Sequence, residues 1–381
     1  MDRSRNAVLG LVLALLGFGV VMIYSSSGIL AERQSRFGDG LFFVRKQLIW
    51  VGLSLTVLLA SSWMPARFWR RSAPWLFLLS LALLAAVMVP GIGTKLNGAR
   101  RWFRFGDVGL QPSEMAKLSL VMFLAWLLDR DPDRMRSFVR GTLPTMGAVA
   151  LACALVIVEP DVGTAVFLAA VSTLLLFGAG LRFWHTLPPA LFAVPMIGWA
   201  LSTGILATQF PHLEGRIRVF LDPGSDPQGK GFQIRQSLIA LGSGGTWGAG
   251  LGLSKQKLLF LPEANTDFIF AVVGEELGFA GAIALLVGFL VMLWRLRELA
   301  VGATRPFGHF VALGVMLLLG LQAAMNVGVV TASLPNKGIP LPFVSFGGSS
   351  LVFTCLAVGV ALAATREEGV EGTAPESLEG P

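Results

Sequence analysis

The chain has 381 residues, of which 54% are hydrophobic and only 14% are charged, and its mean hydropathy is +0.70. Soluble domains carry about a quarter charged residues, so this composition excludes a soluble protein and indicates an integral membrane protein. The formal net charge of +7 does not indicate nucleic-acid binding, because the basic residues stand in segments between apolar stretches, where anionic lipid head groups are the natural partners.

Apolar stretches of about twenty residues recur along the whole chain, and this is the length that a helix needs to cross a hydrocarbon layer of ~30 Å. We therefore predict an all-α polytopic membrane protein. The first stretch has no small-residue cleavage site, so we interpret it as a retained helix and not as a signal peptide. The ten predicted spans are 7–27, 47–64, 74–92, 113–129, 142–158, 163–180, 187–206, 267–294, 308–330 and 347–365.

Residues 1–365 are predicted to form one transmembrane domain, and the acidic tail 366–381 is predicted to be disordered. An even number of spans places both termini on one side of the membrane. The distribution of Lys and Arg favours the cytoplasm for that side once the loop 207–266 is left out, since long loops follow the positive-inside rule poorly. The external face still carries many cations, which need a separate explanation.

Three segments on the external face have unusual sequences. Residues 93–117 are rich in arginine, residues 207–266 form by far the longest connection, and residues 334–350 contain glycines and prolines that rule out a regular helix. Irregular backbone at membrane depth is tolerated only where it is buried in protein or lines a wet cavity. We therefore expect these segments to shape a cavity that opens outward.

The first of these segments contains an arginine-rich stretch, in which Arg100, Arg101 and Arg104 surround Trp102. Interfacial Trp with Arg is a common membrane anchor. However, three guanidinium groups on the external face run against the usual charge bias, and bidentate recognition of phosphate oxygens would explain them. Both interpretations are open from these residues alone.

Two charged residues lie within the fourth predicted span. Glu114 and Lys117 are three positions apart and therefore share one face of the helix. One interpretation is an ion pair that only hides the two charges from lipid. The other places Lys117 in the cavity, as a partner for a phosphate or for a catalytic carboxylate.

The segment EPDVGTA follows the fifth predicted span and contains two further acids, Glu159 and Asp161. Pro160 and Gly163 favour a turn here, with Asp161 as the cap of the next helix. We prefer this structural interpretation to a functional role for the two acids.

The sequence predicts no cofactor. The glycine-rich run 229–252 lacks the Lys-Ser/Thr ending of a P-loop, and no other nucleotide signature occurs. Two cysteines and three histidines have no metal-binding spacing, so no metal site is predicted, although a divalent cation is left open.

The stretch LPEANTDFIFAVVGEELGFAG brings carboxylates to the start of the eighth predicted span. A carboxylate at this depth is costly and usually has a function. Asn265 and Thr266 are good N-cap residues, so Asp267 either stabilises the first helical turn or acts as a general base. Glu275 and Glu276 lie two turns deeper, where a buried ion pair or a helix–loop hydrogen bond is the expected role.

Five stretches within residues 93–350 together resemble the SEDS family (shape, elongation, division and sporulation), whose members are polytopic proteins of bacterial cell-wall synthesis. In chain order they read NGARRWFRFGDVGLQPSEMAK, EPDVGTA, GKGFQIRQSLIALGSGG, LPEANTDFIFAVVGEELGFAG and PNKGIPLPFVSFGGSS. The stretch GLGLSKQKLLFLPEANTDFIF and the Pro-Asn-Lys-Gly before IPLPF are more similar to the division members than to the elongation members.

The resemblance implies a peptidoglycan glycosyltransferase in the bacterial cytoplasmic membrane that polymerises lipid II on the external face. The 4-hydroxyl of one lipid-linked disaccharide attacks the anomeric carbon of another with inversion, and undecaprenyl pyrophosphate leaves, so no ATP is needed. The resemblance also implies that Asp267 is catalytic. We assign substrate binding to six further residues, with Arg101 and Lys117 expected to neutralise the diphosphate: Arg101, Trp102, Glu114, Lys117, Lys337 and Ser345.

The expected partners follow from the same resemblance. They are lipid II, the growing glycan strand, a class B penicillin-binding protein (a transpeptidase) and other membrane proteins of the divisome or elongasome. Two other functions stay open, a lipid II flippase and a non-catalytic scaffold that activates the transpeptidase. A flippase needs access from both faces, whereas the acids and the glycine–proline segments gather in the outer half, which favours an enzyme.

Overall fold

The computed structural model of the protein describes residues 2–34, 40–96, 99–106, 108–131, 135, 137–184, 211–222, 226, 229–258 and 260–366. The predicted seventh span, 187–206, lies outside the described residues, as does the predicted tail apart from Arg366.

The described residues form helices and three short strands, with a π-helical turn at Phe138–Thr142. In chain order the elements are α1 (Asp2–Gln34), α2 (Phe42–Trp63), α3 (Ala66–Val87), β1 (Thr94–Leu96), β2 (Ala99–Phe105), β3 (Val108–Leu110), α4 (Pro112–Arg130), α5 (Leu143–Val158), α6 (Val162–Gly178), α7 (Pro211–Leu221), α8 (Lys230–Ser243), α9 (Ile269–Val301), α10 (Pro306–Val330) and α11 (Gly348–Ala364).

The predicted all-α membrane architecture is confirmed, and each of the nine predicted spans that falls on described residues coincides with a helix. Within the described chain, six helical segments are long and apolar enough to cross a membrane: α1, α2, α3, α5 with its π-helical turn, α9 and α10. The apolar helices α6 and α11 are shorter, and α4 carries charges at both ends. The count of ten spans stays a prediction.

Helices α4 and α10 lie at the centre of the bundle. The first begins at Pro112, which suits an N-terminal helical position because proline lacks an N–H group. Neighbouring helices bury most of α4, so it can carry Glu114 and Lys117 away from lipid. Small residues allow close helix contacts: a Cβ at Gly314 of α10 would collide with Val121 of α4.

One end of the bundle, which we call the site end, combines the C-terminal ends of α3, α5 and α10 with the N-terminal ends of α4, α6, α9 and α11. At the other end, Ser4 Oγ of α1 donates a hydrogen bond to Glu298 Oε2 of α9 (2.7 Å). There the last turn of α11, at Ala364, packs against Gly308 of α10. The described start of α1 and the described end of α11 therefore lie together, opposite the site end.

Between α3 and α4 the chain forms a three-stranded antiparallel sheet in the order β1-β2-β3. The sequence prediction contained no strands. The register places Lys95 opposite Arg100 and Thr94 opposite Trp102, so Arg101 has no partner in β1. The extra residue forms a β-bulge, a feature that commonly redirects a side chain.

Helix α9 is broken at Gly278, whose φ is 69°. The predicted external loop 207–266 supplies the missing backbone partners, because its segment 245–250 lies against the break. Ala249 and Gly250 donate N–H groups to the carbonyls of Glu275 and Glu276, at 2.9 Å each. This pairing satisfies backbone groups that lipid would leave unpaired, and it fixes the loop to the helix that begins beside Asp267.

Candidate active site

Asp267 lies in the turn that immediately precedes α9, which begins at Ile269. It is therefore not within the first helical turn, as the sequence had predicted. The prediction that Asn265 or Thr266 caps the helix is also wrong, because the N-cap residue is Phe268 and no side chain caps it. Helix capping therefore does not explain an aspartate at position 267.

The backbone around Asp267 is fixed by two polar side chains from distant parts of the chain. Asn326 of α10 donates hydrogen bonds to the carbonyls of Asp267 (2.8 Å) and Ile339 (2.7 Å). Ser345, which lies between α10 and α11, donates to the carbonyl of Thr266 (2.6 Å). The turn and the non-helical segment 331–347 therefore hold each other in place.

The carboxyl group of Asp267 is half-buried. Its pKa is raised to about 7, first by burial and then by the negative charge of Glu263, while the positive charges of Arg216 on α7 and Lys337 limit the increase. Gly338 packs closely here, since a Cβ on that residue would lie 2.5 Å from Asp267 Oδ2. A carboxyl group with a pKa near neutrality suits a general base, which must both accept and release a proton.

Lys337 is the ammonium group of the segment 331–347 that reaches the start of α6. Its Nζ lies 3.1 Å from Asp161 Oδ1 and donates a hydrogen bond to Thr164 Oγ1 (2.9 Å). Burial lowers the pKa of Lys337 to about 8, and the charge of Asp161 opposes this decrease. Burial would raise the pKa of Asp161, but the charges of Lys337 and Arg101 outweigh it and hold that pKa below its usual value.

Asp161 is also the cap that the sequence predicted, since its carboxylate accepts a hydrogen bond from Thr164 N at the start of α6 (3.2 Å). The structure adds its ion pair with Lys337, which sequence reasoning missed. The five residues that interact electrostatically at the site end form what we call the charged cluster: Arg101, Asp161, Arg216, Asp267 and Lys337.

Arg101 connects the sheet to the charged cluster. Its Nε donates a hydrogen bond to the carbonyl of Glu159 (2.9 Å), and its Nη2 donates to the carbonyl of Pro160. Its Nη1 lies 3.8 Å from Asp161 Oδ2. The bulge at Arg101 thus directs a partly exposed guanidinium group toward the turn between α5 and α6.

Glu114 and Lys117 form the predicted ion pair on one face of α4, with 2.7 Å between Oε2 and Nζ. Lys117 Nζ also lies 3.4 Å from Gln322 Oε1 of α10, and Gln322 Nε2 donates to the carbonyl of Pro340 (2.9 Å). The ammonium group stands 5.5 Å from the centre of the Phe167 ring. The pair is therefore part of a network that reaches the segment carrying Lys337.

Two other predicted binding residues are placed differently. Trp102 lies on β2 with its ring over Gly109 of β3, where an added Cβ would be 3.1 Å from the ring. Ser345 makes its hydrogen bonds to backbone groups, including the one that fixes the turn at Thr266. In this structure Ser345 positions the turn of Asp267, and Trp102 belongs to the small sheet.

The glutamates deeper in α9 have the structural role that the sequence predicted. Glu276 Oε1 pairs with Lys257 Nζ at 2.8 Å, and both side chains are buried. Glu275 accepts hydrogen bonds from Lys255 N (2.8 Å) and from the hydroxyl of Ser254. Both acids therefore attach the loop before Asp267 to the broken part of α9.

Sequence reasoning missed Arg216 and Asn326, which act on Asp267 from α7 and α10. Arg216 stands in the long loop that was predicted to be external and functional, but no local pattern singled it out. No group of three or more His, Cys, Asp or Glu side chains within the described ranges is placed to hold a metal ion. The charged cluster itself offers a carboxylate beside several cations, an arrangement able to bind an anion and accept a proton.

Comparison with known proteins gives consistent matches over nearly the whole chain. The sequence profile of the cell cycle protein family named after FtsW, RodA and SpoVE matches residues 6–369. The probable peptidoglycan glycosyltransferase FtsW of Trichlorobacter lovleyi is 42% identical over 352 residues, covering 92% of this chain and 90% of the relative. Stage V sporulation protein E of Bacillus subtilis is 39% identical and covers 93% of this chain and 95% of the relative.

Solved structures with a similar fold are also found. One of them concerns the structural coordination of polymerization and crosslinking by a peptidoglycan synthase complex. A chain of that structure matches with a TM-score of 0.74 and 28% identity, and the match covers 94% of this chain and 96% of that one. The rod shape determining protein RodA of Thermus thermophilus has a TM-score of 0.67 and 27% identity, covering 94% of this chain and 95% of that one.

Proposed function

The chain belongs to the cell cycle protein family of FtsW, RodA and SpoVE, and from this premise we propose that it is a peptidoglycan glycosyltransferase that polymerises lipid II. The observation that carries the proposal is Asp267, a half-buried carboxyl group with a pKa of about 7 beside the cations Arg216 and Lys337. This combination supplies a base for a sugar hydroxyl and positive charge for a diphosphate.

The proposed reaction is a single displacement at the anomeric carbon of one lipid-linked sugar. The 4-hydroxyl oxygen of the acceptor sugar forms the new bond to that carbon while the bond from the carbon to the diphosphate oxygen breaks. Asp267 takes the hydroxyl proton, and the diphosphate leaves with the electron pair of the broken bond. The configuration at the anomeric carbon is therefore inverted.

The cations of the charged cluster are proposed to stabilise the departing diphosphate. Lys337 and Arg101 face Asp161, so an incoming diphosphate would compete with that carboxylate for both. Lys117 stands further along the same polar network, paired with Glu114. Because a diphosphate needs charge neutralisation more than a proton when it leaves, cations serve it better than a general acid.

We place the site end at the external face of the bacterial cytoplasmic membrane and both termini in the cytoplasm, in agreement with the distribution of Lys and Arg. The similarity to a chain of a peptidoglycan synthase complex supports a class B penicillin-binding protein as partner. Similarity to FtsW relatives supports a role in the divisome rather than the elongasome.

The experiment that tests the function uses the full-length protein, purified in detergent without any partner and supplied with lipid II. Glycan polymer is expected, and its length is measured by gel electrophoresis. Detergent micelles have no second compartment, so polymer cannot come from flipping. A flippase or a scaffold would form no polymer alone, and that result, in protein shown to be folded, would contradict the proposal.

A further inference from the structure

A cavity of about 290 Å³ lies beside the charged cluster, bounded by the end of α3, the β1–β2 hairpin and the turn between α5 and α6. Its charged lining consists of Lys95, Arg100 and Glu159, and the other lining residues are apolar. None of these three side chains has a role in the reaction proposed above. A cavity of this size is at the lower limit for small-molecule sites, so it suits a head group better than a whole disaccharide.

The two cations of this cavity are direct neighbours across the hairpin. Lys95 of β1 is the register partner of Arg100 of β2. Like charges directly opposite each other destabilise a pair of strands. No carboxylate forms an ion pair with either cation in the described part of the chain. An anion bound between the two cations would relieve their repulsion.

The carboxyl group of the acid in this cavity is buried without a hydrogen bond. Glu159 is 1% exposed, and among the described residues neither of its carboxyl oxygens has a hydrogen-bond partner. An unpaired buried polar atom is costly and calls for a missing partner. Burial, together with the negative charge of Asp161, raises the pKa of Glu159 to about 8, and the positive charge of Arg101 limits the increase. At neutral pH the carboxyl group is therefore mainly protonated and can donate a hydrogen bond to an oxyanion.

We infer that this cavity is a second diphosphate-binding site, in which Lys95, Arg100 and Glu159 hold the head group of the second lipid-linked substrate. The inference rests on the proposed function, because a polymerase that joins two lipid-linked sugars must hold two lipid diphosphates at once. Only one of these leaves in the reaction, and the charged cluster with Asp267 serves that one.

The chain arranges the two sites side by side through adjacent residues. Arg101 turns toward Asp161 in the charged cluster, while Arg100 lines the cavity. In the same way Asp161 belongs to the cluster and Glu159 to the cavity, with Pro160 between them. The second substrate would therefore lie next to the first, as joining them requires.

The test measures binding of inorganic pyrophosphate to the purified full-length protein by isothermal titration calorimetry, which needs no turnover. The wild type is expected to bind two pyrophosphates per chain, and the Lys95→Gln/Arg100→Gln variant only one. Each single substitution should weaken the second site about tenfold, as expected for loss of a charge-assisted hydrogen bond. Arg104→Gln, an exposed arginine on the same strand, is the matched control and should change neither site.

Glu159→Gln provides a second, isosteric variant. Its amide keeps a neutral donor, so pyrophosphate affinity of the second site should fall less between pH 7 and 9 than in the wild type, where Glu159 ionises near Asp161, Arg101, Arg100 and Lys95. Equal pH dependence in both proteins, or two sites of unchanged affinity in the double variant, would overturn the inference.

The source of the head group is tested with lipid II and with a membrane phospholipid. The double variant should raise the KM for lipid II about tenfold or more and leave kcat within a few fold. If phosphatidylglycerol in nanodiscs displaces pyrophosphate and the KM is unchanged, the cavity holds a phospholipid and the substrate inference is wrong. If the wild type binds a second pyrophosphate but forms no polymer, the cavity is an anion-binding site and the proposed function is wrong.

Discussion

The pH dependence of polymerisation depends directly on the electrostatics around Asp267. The general base proposed here must be ionised to act, and the pKa of about 7 of Asp267 means that about a tenth is ionised at pH 6 and about nine tenths at pH 8. The ionised fraction of Asp267 therefore rises about tenfold over this interval. The proposal also requires Lys337 to stay protonated to bind diphosphate. Because the pKa of Lys337 is about 8, about half of it has lost its proton at pH 8, so the net rise in rate is about fivefold and the rate falls at higher pH. The profile is expected to be bell-shaped with a maximum between the two values.

Removing one nearby charge should move one side of this profile only. Glu263 is exposed and raises the pKa of Asp267, so Glu263→Gln should shift the acid side to lower pH. Two unit charges 4 Å apart in water interact by about 1 kcal/mol, so the shift should not exceed about 0.7 pH unit. Glu298→Gln, at the opposite end of the bundle, is the matched control and should shift neither side.

The assay is the initial rate of lipid II polymerisation by purified protein at constant ionic strength, between about pH 5.5 and 9.5. Protein stability is followed at each pH, so that unfolding is not mistaken for titration. A flat profile, or an acid side near the ordinary pKa of aspartate, would refute the role of a partly desolvated base. An acid side that Glu263→Gln moves to higher pH would refute the electrostatic argument.

Two further variants test the packing around the site. Gly338→Ala places a Cβ 2.5 Å from Asp267 Oδ2, so it should displace the carboxylate and lower kcat about a hundredfold with little change in thermal stability. Gly347→Ala is the control, because a Cβ there makes only an ordinary van der Waals contact, and it should leave kcat and thermal stability unchanged. Equal effects of the two substitutions would contradict the steric argument. Glu276→Gln removes the ion-pair partner of the buried Lys257 and should destabilise the protein by about 3 kcal/mol, which is measured as a lower melting temperature in detergent. Adding Lys257→Met to this variant should restore most of the lost stability. If it restores none, loss of the ion pair is not the cause.

The helices and the local pairs of this protein could be predicted because they depend on short-range periodicity. Twenty-residue apolar stretches specify helices regardless of what they pack against. Glu114 and Lys117 meet because residues three apart share a helix face, and the ion pair of Glu276 was expected because a lone charge at that depth is too costly. The cap at Asp161 likewise follows from its local turn.

The remaining features depend on contacts between distant parts of the chain. Arg216 and Lys337 reach Asp267 from different segments, and nothing near either residue indicates which carboxylate it meets. The break at Gly278 is possible only because the loop before Asp267 supplies hydrogen bonds at that depth. The small sheet did have a local signal, since the aromatic-rich residues RWFRF precede a Gly-Asp pair in the sequence, but the apolar spans around it obscured that signal.

The central claim is that Asp267 removes the proton from the acceptor hydroxyl, and the most direct measurement is polymer formation by the Asp267→Asn protein. Wild type, Asp267→Asn and Glu263→Gln are purified side by side, checked for equal melting temperature and pyrophosphate binding, and given lipid II. We predict that Asp267→Asn binds pyrophosphate at least as tightly as the wild type but polymerises at least a hundredfold more slowly, while Glu263→Gln stays within a few fold. Polymer formed by Asp267→Asn at a rate close to that of the wild type would contradict the account.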